Sequence, residues 1–368
     1  MLPASYIDAH RYDGAAIERG TRDRREPCTV QPRDIRVIRD VQRHKFLTAP
    51  QLRELWWPQR SIQAADRRLL KLFRAGYLER FRPLARRGSF PWTYQLGAEG
   101  HRLLQGAGII GPRERFIARA VYDYGHVLHE LQLNAWVLAA RRTLGPALLA
   151  WDGETHIEPP PKARQAQLRL HDDWSAEDLR DPRARPVRPD ARLEIEGERD
   201  EAGRRLFLVE YDRTRRVDKN YDKFRRYDTF LCSWWRHTPL VDDEQRPFVL
   251  FICQDESQRS QFLNAADREL TGHRWHPDAP PERHDHVGRR RILFAIERDA
   301  HDGVLEAWRL PAFPPGHPAR TAEVRRVALA PHRSKTLEDL HIASDPWRAT
   351  NPSADQGQSS GASMAAGS

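Results

Sequence analysis

The sequence predicts an α+β protein built of two modules in series. Three observations support this class. The length, 368 residues, is enough for two domains. Between 33 and 110, three stretches with helix-period apolar residues are followed by two alternating stretches around Arg86-Arg87-Gly88. From 189 onward, short β-type runs alternate with helical patterns, as in a mixed α/β core. These patterns divide the chain into a polar, flexible arm (1–32), a basic module (33–110), an α/β domain (111–344) and a tail (345–368). The tail is rich in Gly, Ser, Ala and Gln, a composition that favours disorder.

The basic module opens with a helix over 33–44. Thr48-Ala-Pro-Gln51 is a capping box with proline in the permitted first turn, and it starts a second helix with Leu52, Leu55 and Trp56 on its apolar face. A third helix, from Ser61 to Arg74, is expected to bury Ile62, Ala65, Leu69, Leu70 and Phe73. At about 100° per residue, Arg67, Lys71 and Arg74 fall together on its opposite face. Gly76 is placed to end the helix. The runs 77–82 and 90–96 then make a hairpin whose tip carries Arg86 and Arg87.

Charge singles out the same segment. Residues 33–102 hold sixteen Lys/Arg against six Asp/Glu, a balance of +10, while the whole chain is +9. The excess positive charge is therefore local, and it favours a polyanionic partner. Other classes are disfavoured. The three cysteines, Cys28, Cys232 and Cys253, are widely spaced without a CxxC pair, which argues against zinc and a disulfide framework. Neither a signal-peptide pattern nor an apolar run of membrane length is present, so a soluble, cytoplasmic protein is expected. There is no Gly-rich phosphate loop and no GxSxG elbow, which disfavours an NTPase or an acyl-transfer enzyme.

Beyond the module, a long helix is expected over 113–143, stopped by Gly145-Pro146, and then a strand over 147–151. A Pro-rich loop fills 158–186. Strands over 189–196 and 205–212 join through Glu201-Ala-Gly-Arg, a hairpin signal. A helix over 217–231, a buried-type strand over 248–253, a helix over 257–271 and strands over 292–296 and 304–308 complete the domain. His273, His276, His284 and His286 lie in a Pro-rich stretch without metal-ligand spacing, and His126, His129 and Glu130 do not follow the HExxH order.

The chemistry-bearing residues cluster in this second half. Glu210 and Asp212 are two apart on a strand, so they share a face. A hairpin centred near 201 would bring Asp190 level with 210–212, with Asp212 its mirror position. Three carboxylates so placed would raise one another's pKa unless a cation relieved them. Mg²⁺ suits that role, because it takes oxygen ligands and bridges to phosphate. Only six of the 61 basic residues are lysines, yet Lys219 and Lys223 stand four apart and share a helix face with Tyr227. The competing reading is an ion network of Glu210 and Asp212 with Arg213, Arg215 or Arg226.

Three helices and a basic-tipped hairpin, with Ala75-Gly-Tyr-Leu-Glu-Arg before it and Leu96-Gly-Ala-Glu-Gly-His-Arg-Leu-Leu after it, resemble the winged helix-turn-helix family. That resemblance implies double-stranded DNA contact through Arg67, Lys71 and Arg74, with Arg86 and Arg87 in the wing. Pro189-Asp190 followed by Glu210 resembles the PD-(D/E)xK nuclease superfamily, and so implies a restriction-endonuclease-like domain. In that reading Asp190 and Glu210 would hold Mg²⁺. The family's lysine position is Asp212 here, and Lys223 on the following helix would take its role. Glu130 resembles an accessory acid that some members carry.

The succession of these parts, with His126-Val-Leu-His129-Glu-Leu-Gln-Leu-Asn, Val209-Glu-Tyr-Asp-Arg-Thr and Lys223-Phe-Arg-Arg-Tyr227, resembles the replication-relaxation family of plasmids and mobile elements. It implies a DNA-binding protein of replication or mobilisation, with proteins of those processes as partners. The C-terminal domain would be nuclease-like, with or without cleavage activity. The alternatives are an active Mg-dependent DNA endonuclease and a non-catalytic regulator or adaptor.

Overall fold

A computed structural model describes residues 16–22, 25–84, 90–119, 121, 124–159, 185–197, 203–213, 218–238, 246–270, 286–311 and 326–330. The expected tail, the wing tip with Arg86 and Arg87, and His273, His276 and His284 lie outside them. The protein is α+β and divides into two compact units, 1–139 and 140–368.

In the first unit, β1 (Ile17–Arg19) precedes α1 (Pro32–His44), β2 (Leu47–Thr48), α2 (Ala49–Trp56) and α3 (Ile62–Arg74). β3 (Leu78–Pro83), β4 (Thr93–Leu96), α4 (Ala98–Gly106) and α5 (Tyr124–Leu144) follow. The capping box at Thr48 is the one the sequence indicates. Thr48 accepts from the Gln51 backbone N–H at 3.4 Å, while Gln51 accepts from the Thr48 N–H at 2.8 Å. Ser61 caps α3 through the Ala64 N–H at 3.3 Å. Gly76, at φ +84°, turns α3 into β3. Gly97 comes so close to that turn that a Cβ would lie 2.2 Å from the Gly76 carbonyl oxygen. All strands pair antiparallel, in the order β1-β3-β4-β2.

Four expectations change in this unit. Part of the arm is ordered, because Ile17–Arg19 adds an edge strand to β3 and Glu18 receives two hydrogen bonds from Arg82. Three residues are too few for alternation to betray a strand. Within α3, the buried stripe is Ala65, Leu69, Leu72 and Phe73, whereas Ile62 on the terminal turn is 58% exposed. The long helix begins at Tyr124, not near 113, and residues 114–119 form no regular element. Finally, the unit extends past 110. Asn134 on α5 is buried and its amide donates to the carbonyls of His44 at 2.9 Å and Phe46 at 2.8 Å, and Gln51 donates to the Leu131 carbonyl at 3.2 Å. Phe46, Phe81 and Phe90 also form an apolar cluster with Tyr124, Leu128 and Leu131 of α5.

The second unit contains β5 (Leu148–Asp152), β6 (Ala191–Glu196), β7 (Arg204–Tyr211), α6 (Asp218–Thr229) and β8 (Phe248–Cys253). Then come α7 (Glu256–Glu269), α8 (Gly288–Arg291), β9 (Ile292–Ile296), α9 (Glu297–His301), β10 (Glu306–Arg309) and β11 (Arg326–Ala328). Seven strands form one mixed sheet in the order β11-β10-β9-β8-β7-β6-β5. Its centre, β7-β8-β9, is parallel. Parallel strands are covered on both faces, which is why β8 reads as the unbroken apolar run Phe248-Val-Leu-Phe-Ile-Cys. Leu208, Val249, Phe251, Ile292 and Phe294 form a core with Phe224 and Tyr227 of α6 and Phe262 of α7. Phe224 makes edge contacts with Phe251, Phe262 and Phe294. No helix among the described residues is long and apolar enough to cross a membrane.

Candidate functional site

On α3 the cations sort by depth. Arg67, Lys71 and Arg74 are exposed, and Arg74 lies 3.5 Å from Glu26. Arg68, adjacent to Arg67, turns the other way. Its guanidinium holds the fully buried Asp34 of α1, with Nε at 2.9 Å from Oδ1, and Nη2 also donates to the Thr29 carbonyl at 2.8 Å. That pair fixes α3 against α1 and leaves the Arg67–Lys71 face to solvent. The sequence marked the exposed face but not the inward Arg68, since a buried arginine and a solvated one have the same letter.

In the second unit the β6–β7 hairpin pairs Ala191 with Val209, so Asp190 stands level with Glu210 and not with Asp212. The hairpin arithmetic was two residues out because its turn is centred near 200. The Asp190 N–H donates to the Val209 carbonyl at 2.8 Å, and its Oδ2 accepts the Tyr211 N–H at 2.8 Å. Glu210 is 2% exposed, in a row whose neighbours Leu208 and Phe251 are core. Lys223 Nζ donates to Glu210 Oε2 at 2.6 Å, and the Tyr227 hydroxyl donates to Oε1. Lys223 and Tyr227 reach one carboxylate because they stand four apart on α6.

Burial pushes Glu210 up to about 7, against the pull of Lys223. Asp190 adds to the rise. Burial alone would lower Lys223, but the charge and hydrogen bond of Glu210 hold it above its ordinary range. On the strand's other side, the Tyr211 hydroxyl donates to Glu297 at the start of α9 at 2.8 Å, and burial raises Glu297 to about 7 as well. No sequence signal pointed to Glu297, which is 86 residues away from its partner.

An open cavity of about 340 Å³ lies over Glu210. Glu210, Tyr227, Lys223, Arg226, Arg185 and Arg188 line it. Arg185 falls in the stretch read from sequence as a surface loop, 158–186, and Arg188 lies just after it, where no sequence signal marks it. Asp212, just past β7, engages the second unit through its carbonyl, which accepts from Gln258 at 3.1 Å. The side chain of Lys219 lies outside the described residues. Glu130 pairs with Lys45 at 2.8 Å within the first unit. Among the described residues, no three His, Cys, Asp or Glu side chains gather as a metal site.

A family model described as Replication-relaxation matches residues 38–242. The chain belongs to the replication-relaxation family. The match runs from α1 to beyond α6, so it contains both the cationic face of α3 and the Asp190–Glu210–Lys223 group. Membership of the replication-relaxation family suggests a role in replication or mobilisation of plasmids or mobile elements. No curated protein and no solved structure matches the chain.

Proposed function

We propose that this replication-relaxation protein is a DNA-binding protein of plasmid or mobile-element replication or mobilisation, acting in the cytoplasm beside other proteins of those processes. Its first unit serves as a winged helix-turn-helix and grips double-stranded DNA. Its second is a restriction-endonuclease-like domain that need not cleave. The observation that carries this reading is α3. Arg67, Lys71 and Arg74 project from the third helix, while Arg68 locks that helix in place. A third helix so exposed can enter a major groove, and Arg86 and Arg87, which follow β3 in the sequence, would touch backbone as the wing.

The test is duplex binding by fluorescence anisotropy across a salt series. Each phosphate that a variant no longer neutralises lowers the slope of log K against log salt by about 1. The triple variant Arg67→Ala, Lys71→Ala, Arg74→Ala should weaken binding on the order of a hundredfold and flatten the slope by about 3. Unchanged affinity and slope would remove the proposal.

A second reading, Mg-dependent cleavage, is favoured by one observation: Lys223, displaced from the position that Asp212 holds, does reach Glu210. The donors fit a divalent cation in part. Mg²⁺ is commonly held by one or two carboxylates together with substrate phosphate, and Asp190 and Glu210 are the two on offer. When bound there, the ion would acidify a water and steady charge on the phosphoryl oxygens. Lys223 would leave Glu210 to face the phosphate, and Tyr227 would keep the carboxylate oriented. Supercoiled plasmid incubated with Mg²⁺ or Mn²⁺ should be nicked by the native chain and not by Glu210→Gln. Absence of nicking by both retires this second reading alone.

A further inference from the structure

We infer that the cavity over Glu210 is a binding site for the phosphate of a single nucleotide at a DNA strand end, clasped by Arg185, Arg188, Arg226 and Lys223. The inference rests on the reading of the chain as a DNA-binding protein and adds a second, separate point of attachment to it.

Four cations of the second unit meet at one opening, and their placement is graded. Glu210 and Tyr227 are buried, Lys223 and Arg226 are half-buried, and Arg185 and Arg188 are exposed. Asp222 braces two of the arginines. It accepts both Nε and Nη2 of Arg226 and lies 3.8 Å from Arg185. A guanidinium already held on one edge loses little freedom when the other edge takes an anion. Arg188 makes no ion pair among the described residues. It stands one residue before Pro189, whose ring restricts the backbone of its neighbour to extended forms.

Volume narrows the ligand. A cavity of about 340 Å³ is at the low end for small-molecule sites, ~300–1,000 Å³. It can take one nucleotide but not a duplex, whose major groove alone is ~12 Å wide. The chemistry of the lining selects an oxyanion over an apolar ligand, and the DNA-binding reading makes that oxyanion a phosphate. Arginines match phosphate oxygens in pairs, and a lysine adds a point charge. Lys223 now donates to Glu210, and an incoming phosphate offers it oxygens of the same kind.

Titration calorimetry on the full chain tests this with thymidine 5′-monophosphate, thymidine, inorganic phosphate and a short 5′-phosphorylated single strand. The expected result is binding of the nucleotide and of the phosphorylated strand, and none of thymidine. Arg188→Ala and Arg185→Ala, both at exposed positions, should each weaken the nucleotide about tenfold, and Arg188→Lys should recover part of the loss. The triple α3 variant should bind the nucleotide as the native chain does. Equal binding of thymidine, or native affinity in both arginine variants, would overturn the inference while leaving duplex binding intact. Inorganic phosphate binding as tightly as the phosphorylated strand would overturn it too, by assigning the site to a free anion.

Discussion

Replacing Arg68 with alanine is expected to destabilise the first unit by about 3–5 kcal/mol, the cost of stranding a buried charge. Asp34 has no solvent exposure, and Arg68 is its charged partner. Without the guanidinium, the carboxylate keeps the Gln31 N–H at 2.6 Å but loses its counter-charge. The Thr29 carbonyl loses its donor as well. Removing both charges together, as Asp34→Asn with Arg68→Met, should cost less than Arg68→Ala alone, because no isolated charge stays buried. Urea unfolding of the three variants checks this. A loss below about 1 kcal/mol for Arg68→Ala, the range of an exposed ion pair, would show that Asp34 reaches water. The variant also separates two roles on one helix. If α3 grips DNA as proposed, Arg68→Ala should weaken binding by loosening α3 without lowering the salt slope, whereas Arg67→Ala or Lys71→Ala should lower it.

The second large effect is a fall in stability between pH 5 and 8 that Glu210→Gln reduces. Glu210 rises from an ordinary 4.5 to about 7 in the folded chain. A group whose folded pKa is raised contributes stability that is fully present below its unfolded value and is lost as pH rises through the folded one. The shift amounts to about 3 kcal/mol lost across that window. Glu297, also raised to about 7, acts with the same sign. Melting temperature should therefore drop from pH 5 to pH 8 in the native chain. It should drop less in Glu210→Gln or Glu297→Gln, and least in the double variant. Lys223→Met should move the loss to higher pH, since the cation that holds Glu210 down is gone. Parallel pH profiles for native and variant chains would mean that Glu210 is solvated.

Much of the first unit was legible because its signals are local. Thr48 and Gln51 cap a helix from within four residues, and Gly76 marks a turn that only its own φ requires. The exposed trio on α3 follows from helical angle alone. Ile17–Arg19 was illegible because an edge strand of three residues exists only through its partner β3. The carboxylate site was legible in part. Lys223 and Tyr227 share a helix face by spacing, and that spacing delivers both to Glu210. The level of Asp190 depended on the turn centre, so a shift of one residue there moved its opposite number from 212 to 210.

The sequence by itself determined the succession of elements, the local excess of cations and the residues on each amphipathic face, since periods of 3.6 and 2 are properties of a single segment. Only the tertiary structure decided which charges are buried and what they meet. Arg68 against Asp34, Tyr211 against Glu297, and Arg185 and Arg188 over Glu210 join segments tens of residues apart. Burial sets the energy of a charge, and burial is a property of the packed chain. Glu210, one of two acids spaced along a strand in the sequence, is thus a buried acid held by a lysine and a tyrosine at the floor of an arginine-rimmed cavity.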